Sequence, residues 1–171
     1  MPRVLPGVLR WKEIARKWAT QTGLTASLVL GLIHQESGGN ERAYRFEPLY
    51  HTGRIIGNTT WERRMDEHGW EPRDVAASYG LTQLMFPTSW GYGCRDPKQL
   101  YDPDYNIRLG CAHLAALRSH AQLASLPEAL AAYNGGNGGA ADYRAGRDTA
   151  PVRYSRNVLA LAAEYRAALG G

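Results

Sequence analysis

The stretch that most constrains this chain is Thr25–Asn40, TASLVLGLIHQESGGN. Leu28, Leu32 and Glu36 stand four residues apart, with Val29 and Ile33 beside them. At 3.6 residues per turn all five share one helix face. Thr25 has the chemistry of an N-cap, and Gly38-Gly39 that of a stop. An apolar stripe of this kind packs on a core, so its last member, Glu36, is carried to the core-facing side rather than to water. Desolvation there disfavours the charged carboxylate and raises its pKa. The negative end of the helix dipole acts in the same direction. A carboxylic acid that keeps its proton near neutral pH is what general acid catalysis needs. The plain alternative is a glutamate in a frayed last turn that reaches into solvent.

The 171 residues are read as one domain, 1–171, long enough for a substantial core. Alanine and leucine are abundant and β-branched runs are few, so the expected class is mainly α with at most a small β element. The formal charge of +4 is mildly basic, which favours encounter with anionic polymers. The basic residues are interspersed with acids, so the reading expects no nucleic-acid partner. No apolar run approaches the ~20 residues of a membrane span, and no membrane insertion is expected. Met1–Gly7 holds Arg3 and two prolines with no apolar run behind it, so no secretion leader is expected.

Along the chain, the spacing of Val8, Trp11, Ala15, Trp18 and Thr22 predicts a first helix over 8–22, closed by Gly23. Thr59 and Glu62 have capping-box spacing for a short helix that ends near His68 and Gly69. Residues 78–85 alternate briefly, as a short strand or a tight turn into a helix. Asp102-Pro103 resembles a helix start, followed by the stripe Ile107, Gly110, Cys111, Leu114 and Leu117. Ser125 caps a further helix that carries Leu130 and Tyr133. The glycine-rich run 134–139 is expected to stop that helix as a flexible loop. Thr149 and Pro151 open the last helix.

Three separated pieces stand out: His34-Gln35-Glu36-Ser37, Tyr79-Gly80-Leu81-Thr82-Gln83-Leu84-Met85, and Ala131-Ala132-Tyr133-Asn134-Gly135-Gly136. In this order they resemble the ES, GLxQ-M and AYN-G motifs of the soluble lytic transglycosylase family, related to goose-type lysozymes. Tyr101–Gly110 is similar to that family's DP-x-x-NI-x-x-G segment, and Tyr154–Leu159 to its C-terminal helix. The resemblance covers roughly residues 22–165. It implies a lysozyme-like α-rich domain that cleaves the MurNAc–GlcNAc β-1,4 bond of peptidoglycan. No cofactor or metal is expected, and the chain is read as a monomer. By position the resemblance implies that Glu36 is the catalytic acid/base and that Ser37 supports its carboxylate or the substrate's N-acetyl group. It further implies that Tyr79, Gly80, Leu81, Gln83 and Met85 line the sugar groove, with Tyr133, Asn134 and Tyr154 beside the acid.

The chain departs from that family in the acid-rich segment 41–78, which reads as an insertion. An inverting hydrolase needs a second carboxylate, roughly 6.5–9.5 Å from the acid, to activate water. Glu47, in Arg45-Phe46-Glu47-Pro48, is the candidate; its alternative is pairing with a nearby arginine. The outcomes to separate are therefore a lytic transglycosylase and a hydrolytic muramidase. Two rivals from other classes are a non-catalytic wall-binding module and a nucleic-acid-binding helical protein. Cys94 and Cys111 permit one disulfide, against the alternative of buried free thiols. A metal site is not expected, since His113 stands two residues from Cys111 and no CxxC pairing exists. Action on a wall outside the cytoplasm without a leader points to a phage lysin or a virion component, with a specialised bacterial secretion system or a chain trimmed of its leader as the alternatives.

Overall fold

The computed structural model describes residues 4–120, 123 and 125–170; Arg3, used in the leader argument, lies outside these. The chain opens with α1 (Pro6–Leu9) and α2 (Lys12–Thr22), followed by α3 (Ala26–Ser37). The predicted 8–22 helix is thus two. Trp11 leaves the helical conformation and its indole N–H donates to the Gly39 carbonyl at 3.1 Å, which ties the break to the end of α3. α3 itself has the expected boundaries. Thr25 Oγ1 accepts from the Leu28 N–H at 3.2 Å, and Gly38 closes the helix with φ 60°. Its burial is wider than a stripe, for every residue from Ser27 to Ile33 is buried. A helix buried all round is the centre of a core rather than its edge.

The middle of the chain holds β1 (Tyr44–Phe46), α4 (Pro48–Tyr50), a π-helical turn (His51–Ile55), α5 (Thr59–His68), α6 (Pro72–Val75), β2 (Ala77–Tyr79) and β3 (Leu84–Met85). The three strands form one antiparallel sheet, ordered β1-β2-β3. Residues 78–85 are therefore strand, turn and strand. The N-cap of α5 is Asn58, whose Oδ1 accepts from the Trp61 N–H, one residue before the predicted Thr59. Glu62 instead accepts from the Gly57 N–H at 3.0 Å. Then come α7 (Phe86–Trp90), a 3₁₀ turn (Pro97–Tyr101), α8 (Pro103–Ser119), α9 (Leu126–Arg144) and α10 (Ala150–Ala168). Asp102 and Ser125 cap α8 and α9 as expected.

Two hydrophobic clusters result. The helical one surrounds α3 with Val8, Ile107, Leu114, Leu130, Val158 and Tyr165. The second lies under the sheet, with Ile55, Trp61, Val75, Phe86, Leu100 and Leu109. α8 serves both, through Ile107 on one side and Leu109 on the other. Against α3, α10 packs so closely that a Cβ on Gly31 would stand 2.8 Å from the Val158 carbonyl oxygen.

The glycine-rich run 134–139 does not end its helix in a loose loop. Gly136 takes φ 58° and ψ −150°, a conformation for which glycine carries little penalty, and the helix reverses there. A straight helix would separate Glu128 from Arg144 by about 24 Å. Instead they form an ion pair of 2.6 Å, with Glu128 buried. α9 is thus a two-armed helical hairpin, and Gly139 packs on the backbone of Ala131.

Candidate active site

Glu36 stands in the last turn of α3, partly buried. The Tyr154 hydroxyl, from α10, donates to its Oε1 at 2.5 Å. Burial raises the carboxyl from 4.5 to about 7; the Tyr154 hydrogen bond and the charge of Arg45 oppose this, and Glu47 adds to it. The desolvation inferred from the apolar stripe is therefore the leading cause. Tyr133 and Tyr154 lie close enough to Glu36 that its charge, added to burial, pushes both phenols well above their usual range. Both stay neutral, so they offer hydrogen bonds without charge. The Tyr133 hydroxyl donates to the Thr82 carbonyl at 2.9 Å, which holds the α9 arm against the β2–β3 turn. Asn134 follows Tyr133 on the exposed side, just before the reversal.

The sheet brings a second group to the same place. Arg45 pairs with Ser78 in register, and Ser78 with Met85, so these side chains share one face. Glu47 continues that face beyond β1. Its Oε1 accepts from Arg45 Nε at 2.6 Å and from Ser78 Oγ at 3.3 Å. Glu47 is thus both in the electrostatic range of Glu36 and paired with an arginine.

The other predicted site residues are held by contacts of their own. The Ser37 hydroxyl donates to the Leu81 carbonyl at 2.8 Å and accepts from the Gly39 N–H at 3.2 Å. It ties α3 to the β2–β3 turn rather than supporting the carboxylate. Gly80 has φ 70°, and a side chain there would collide with Leu100 and Asn106. Leu81 is fully buried in the helical cluster. Gln83 is a non-glycine residue with φ 47°; its amide donates to the Gly80 carbonyl at 3.1 Å. Such a conformation persists only where surrounding contacts enforce it, and it marks functional turns. Tyr79 is turned away. It lies on the sheet face opposite Ser78, and its hydroxyl donates to the Asp74 carbonyl at 2.7 Å.

The two cysteines are unbonded. Cys94 belongs to the cluster under the sheet and Cys111 to the helical cluster, so each thiol is enclosed on its own side of α8. Burial pushes Cys111 up to about 12. The permitted disulfide is therefore corrected to two buried free thiols.

Neither of two cavities of about 630 and 720 Å³ is lined by Glu36. The acid stands at the end of α3, with Tyr154 of α10 on its carboxyl and Tyr133 of α9 and Arg45 and Glu47 of the sheet edge in its electrostatic range.

A family model described as the transglycosylase SLT domain matches residues 13–154. The chain belongs to that family. Among solved structures, it is similar to an inactive Glu-to-Gln mutant of the lytic transglycosylase Slt from Pseudomonas aeruginosa, with TM-score 0.62 and 24% identity. That likeness covers 96% of this chain and 25% of the other, so the SLT domain here spans a quarter of the structure it matches. A comparison with curated proteins finds no match. The fold is mainly α and lysozyme-like, with a small three-stranded sheet.

Two residues of this SLT domain that matter were not singled out from sequence. Asn106 is buried and uses its whole amide. Its Oδ1 accepts from the Thr82 N–H at 2.9 Å and the Thr82 hydroxyl at 2.8 Å. Its Nδ2 donates to the Tyr79 and Leu100 carbonyls, each at 2.9 Å. It thereby shapes the Gly80–Gln83 turn, and its place in the DP-x-x-NI segment was the available signal. Arg45 is the second, and its proximity to Glu47 in sequence was the only hint.

Proposed function

We propose that this SLT domain cleaves the MurNAc–GlcNAc β-1,4 bond of peptidoglycan as a lytic transglycosylase, with Glu36 as acid and then base. The observation that carries the reading is the Glu36 carboxyl, raised to about 7 by burial and held by a neutral phenol. Near neutral pH a fraction of it is protonated and can give that proton to the glycosidic oxygen as the GlcNAc leaves. The muramic sugar's own acetamido group stabilises the anomeric carbon. The Glu36 carboxylate so formed takes the proton from the C6 hydroxyl of the same sugar. O6 then bonds to C1 and closes the 1,6-anhydro ring, with no water consumed. One group serves both steps best when its pKa lies near the working pH.

Glu47 supports this outcome by being occupied: its Oε1 is ion-paired with Arg45. The reading gives it no proton to move. Tyr133, Asn134, Gln83 and Met85 remain the residues proposed to meet the sugars, and Tyr154 to hold the acid. In this reading the chain works as a monomer on the wall outside the cytoplasm. A hydrolytic muramidase is the second reading, favoured by one observation: Glu47 is near enough to raise the pKa of Glu36.

The test is mass spectrometry of muropeptides released from purified sacculi, with Glu36→Gln as control. Products ending in 1,6-anhydro-MurNAc, absent from the control, are expected. Reducing MurNAc ends would replace the transglycosylase reading with the muramidase one. A control as active as the parent would remove Glu36 from its role.

A further inference from the structure

On the reverse face of the sheet from Glu36 lies a cavity of about 720 Å³. Tyr44 and Tyr79 enter it from β1 and β2, Trp70 from the turn after α5, and Tyr101 from the 3₁₀ turn. Strand alternation separates it from the catalytic face, since Tyr44 and Tyr79 pair with each other while Arg45 and Ser78 point the other way. The four rings differ in how their polar ends are used. The Tyr44 and Tyr79 hydroxyls donate to the carbonyls of Arg73 and Asp74. Among the described residues, the Trp70 indole N–H and the Tyr101 hydroxyl donate to no protein group, although both rings make aromatic contacts. Trp70 stacks on His68 at 4.3 Å, which holds it in place.

The charges at the mouth are asymmetric in the same sense. Asp74 and Asp96 already accept backbone N–H groups, from Glu71 and Lys98. The Lys98 ammonium has no carboxylate partner among the described residues, and Arg73 has only an exposed contact of 3.6 Å with Glu71. The cavity therefore presents aromatic faces, two unspent donors and two cations with uncommitted capacity. Rings with polar handles suit a sugar, whose carbon face packs on the ring while its oxygens take the donors. Uncommitted cations suit a carboxylate.

We infer that this cavity is a second, non-catalytic saccharide site, which takes a carboxylate-bearing muramyl unit. The muramyl identity rests on the proposed function; the anionic-saccharide chemistry does not. A domain that holds a second stretch of wall behind its sheet would stay on an insoluble polymer between cleavage events, since linked sites raise the effective concentration of the substrate.

The experiment is a nuclear magnetic resonance titration of the full chain, read at the Trp70 indole N–H. The probes are N-acetylmuramic acid, muramyl-L-alanyl-D-isoglutamine and the neutral trimer of N-acetylglucosamine. Both acidic probes are expected to shift the Trp70 signal at concentrations on the order of 1 mM, the neutral trimer far less. If the free sugar acid suffices, its lactyl carboxylate is the recognised group; if only the peptide form works, the peptide carboxylate is. Lys98→Glu and Tyr101→Phe should each weaken the response at least several-fold. An unmoved Trp70 signal, or equal shifts with the neutral trimer, overturns the proposal. Sacculi digestion in parallel separates the two readings. Anhydro products without Trp70 binding would sink the second site alone, and binding without products would sink the proposed reaction alone.

Discussion

The ends of α3 and of β1 each carry a glutamate to the same surface, and the two ends are built in opposite ways. Glu36 comes off a helix buried on all sides and is met by an uncharged hydroxyl, from Tyr154. Glu47 comes off a short strand at the rim and is met by a charged guanidinium, from Arg45. The first environment withholds water and pairs the carboxyl with no cation, the Arg45 charge acting on it only at a distance, so burial prevails and favours the protonated acid. The second supplies a counter-charge at 2.6 Å. Two neighbouring carboxylates are thereby given different environments by the groups that meet them.

The largest effect on this contrast is expected from Glu36→Gln. If Glu36 is the acid/base, release of muropeptides should fall by roughly 10²–10⁴-fold, the scale of a lost acid/base group. The same variant should gain stability with pH in a defined sense. A carboxyl raised from 4.5 to about 7 favours the folded state fully below 4.5, and that contribution is lost as pH rises through 7. At pH 8 the glutamine variant should therefore be the more stable, by at most about 3 kcal/mol, and near pH 4 the two should match. Urea unfolding at both pH values checks this. Equal stability at both would mean that the carboxyl is not desolvated.

Next in size is Asn106→Ala. It strips partners from buried groups at Thr82, Tyr79 and Leu100. A loss of about 3 kcal/mol is expected, at roughly 1–3 kcal/mol per orphaned buried group. Melting monitored by circular dichroism measures it. An unchanged melting temperature would show that the Gly80–Gln83 turn does not depend on Asn106.

Tyr154→Phe probes the Glu36 end of the contrast. The hydrogen bond lowers the Glu36 pKa, so its removal should move the alkaline limb of the pH–rate profile upward. A limb that stays in place or moves down would contradict the assignment of that limb to Glu36. The smallest effect is expected from Glu47→Gln. Removing its charge should shift the same limb slightly down, with the rate within about tenfold of the parent, or about 1.4 kcal/mol. A hundredfold loss together with reducing-end products would make Glu47 a base and erase the contrast drawn above.

Much of the helical half was legible in the chain. The four-residue spacing from Leu28 to Glu36, the Thr25 cap and the Gly38 stop are all local signals, and α3 forms where they place it. The ordered motifs mark Glu36 and Tyr133, and the C-terminal segment marks Tyr154; the fold brings the three together. The glycine run was misread because punctuation signals a break without its direction. The Gly136 dihedrals and the 2.6 Å pair between Glu128 and Arg144 reveal that the helix reverses and resumes. Tyr79 was carried to the groove by its neighbours in the motif, but strand alternation sends it to the other face.

Short-range patterns in the chain account for the mainly α class, the helix that ends in Glu36 and the apolar surroundings that raise its pKa. These depend on periodicity and capping, which act over a few residues. Long-range packing sets which group meets each carboxylate, where the Ser37 proton goes, that the two cysteines lie in separate clusters and that the sheet has an aromatic cavity behind it. Those outcomes depend on which distant segments meet. Tyr154 lies 118 residues from Glu36, and Ser37 lies 44 from Leu81. No short-range pattern encodes such pairings, because their energy arises only when the packed chain brings the partners into contact.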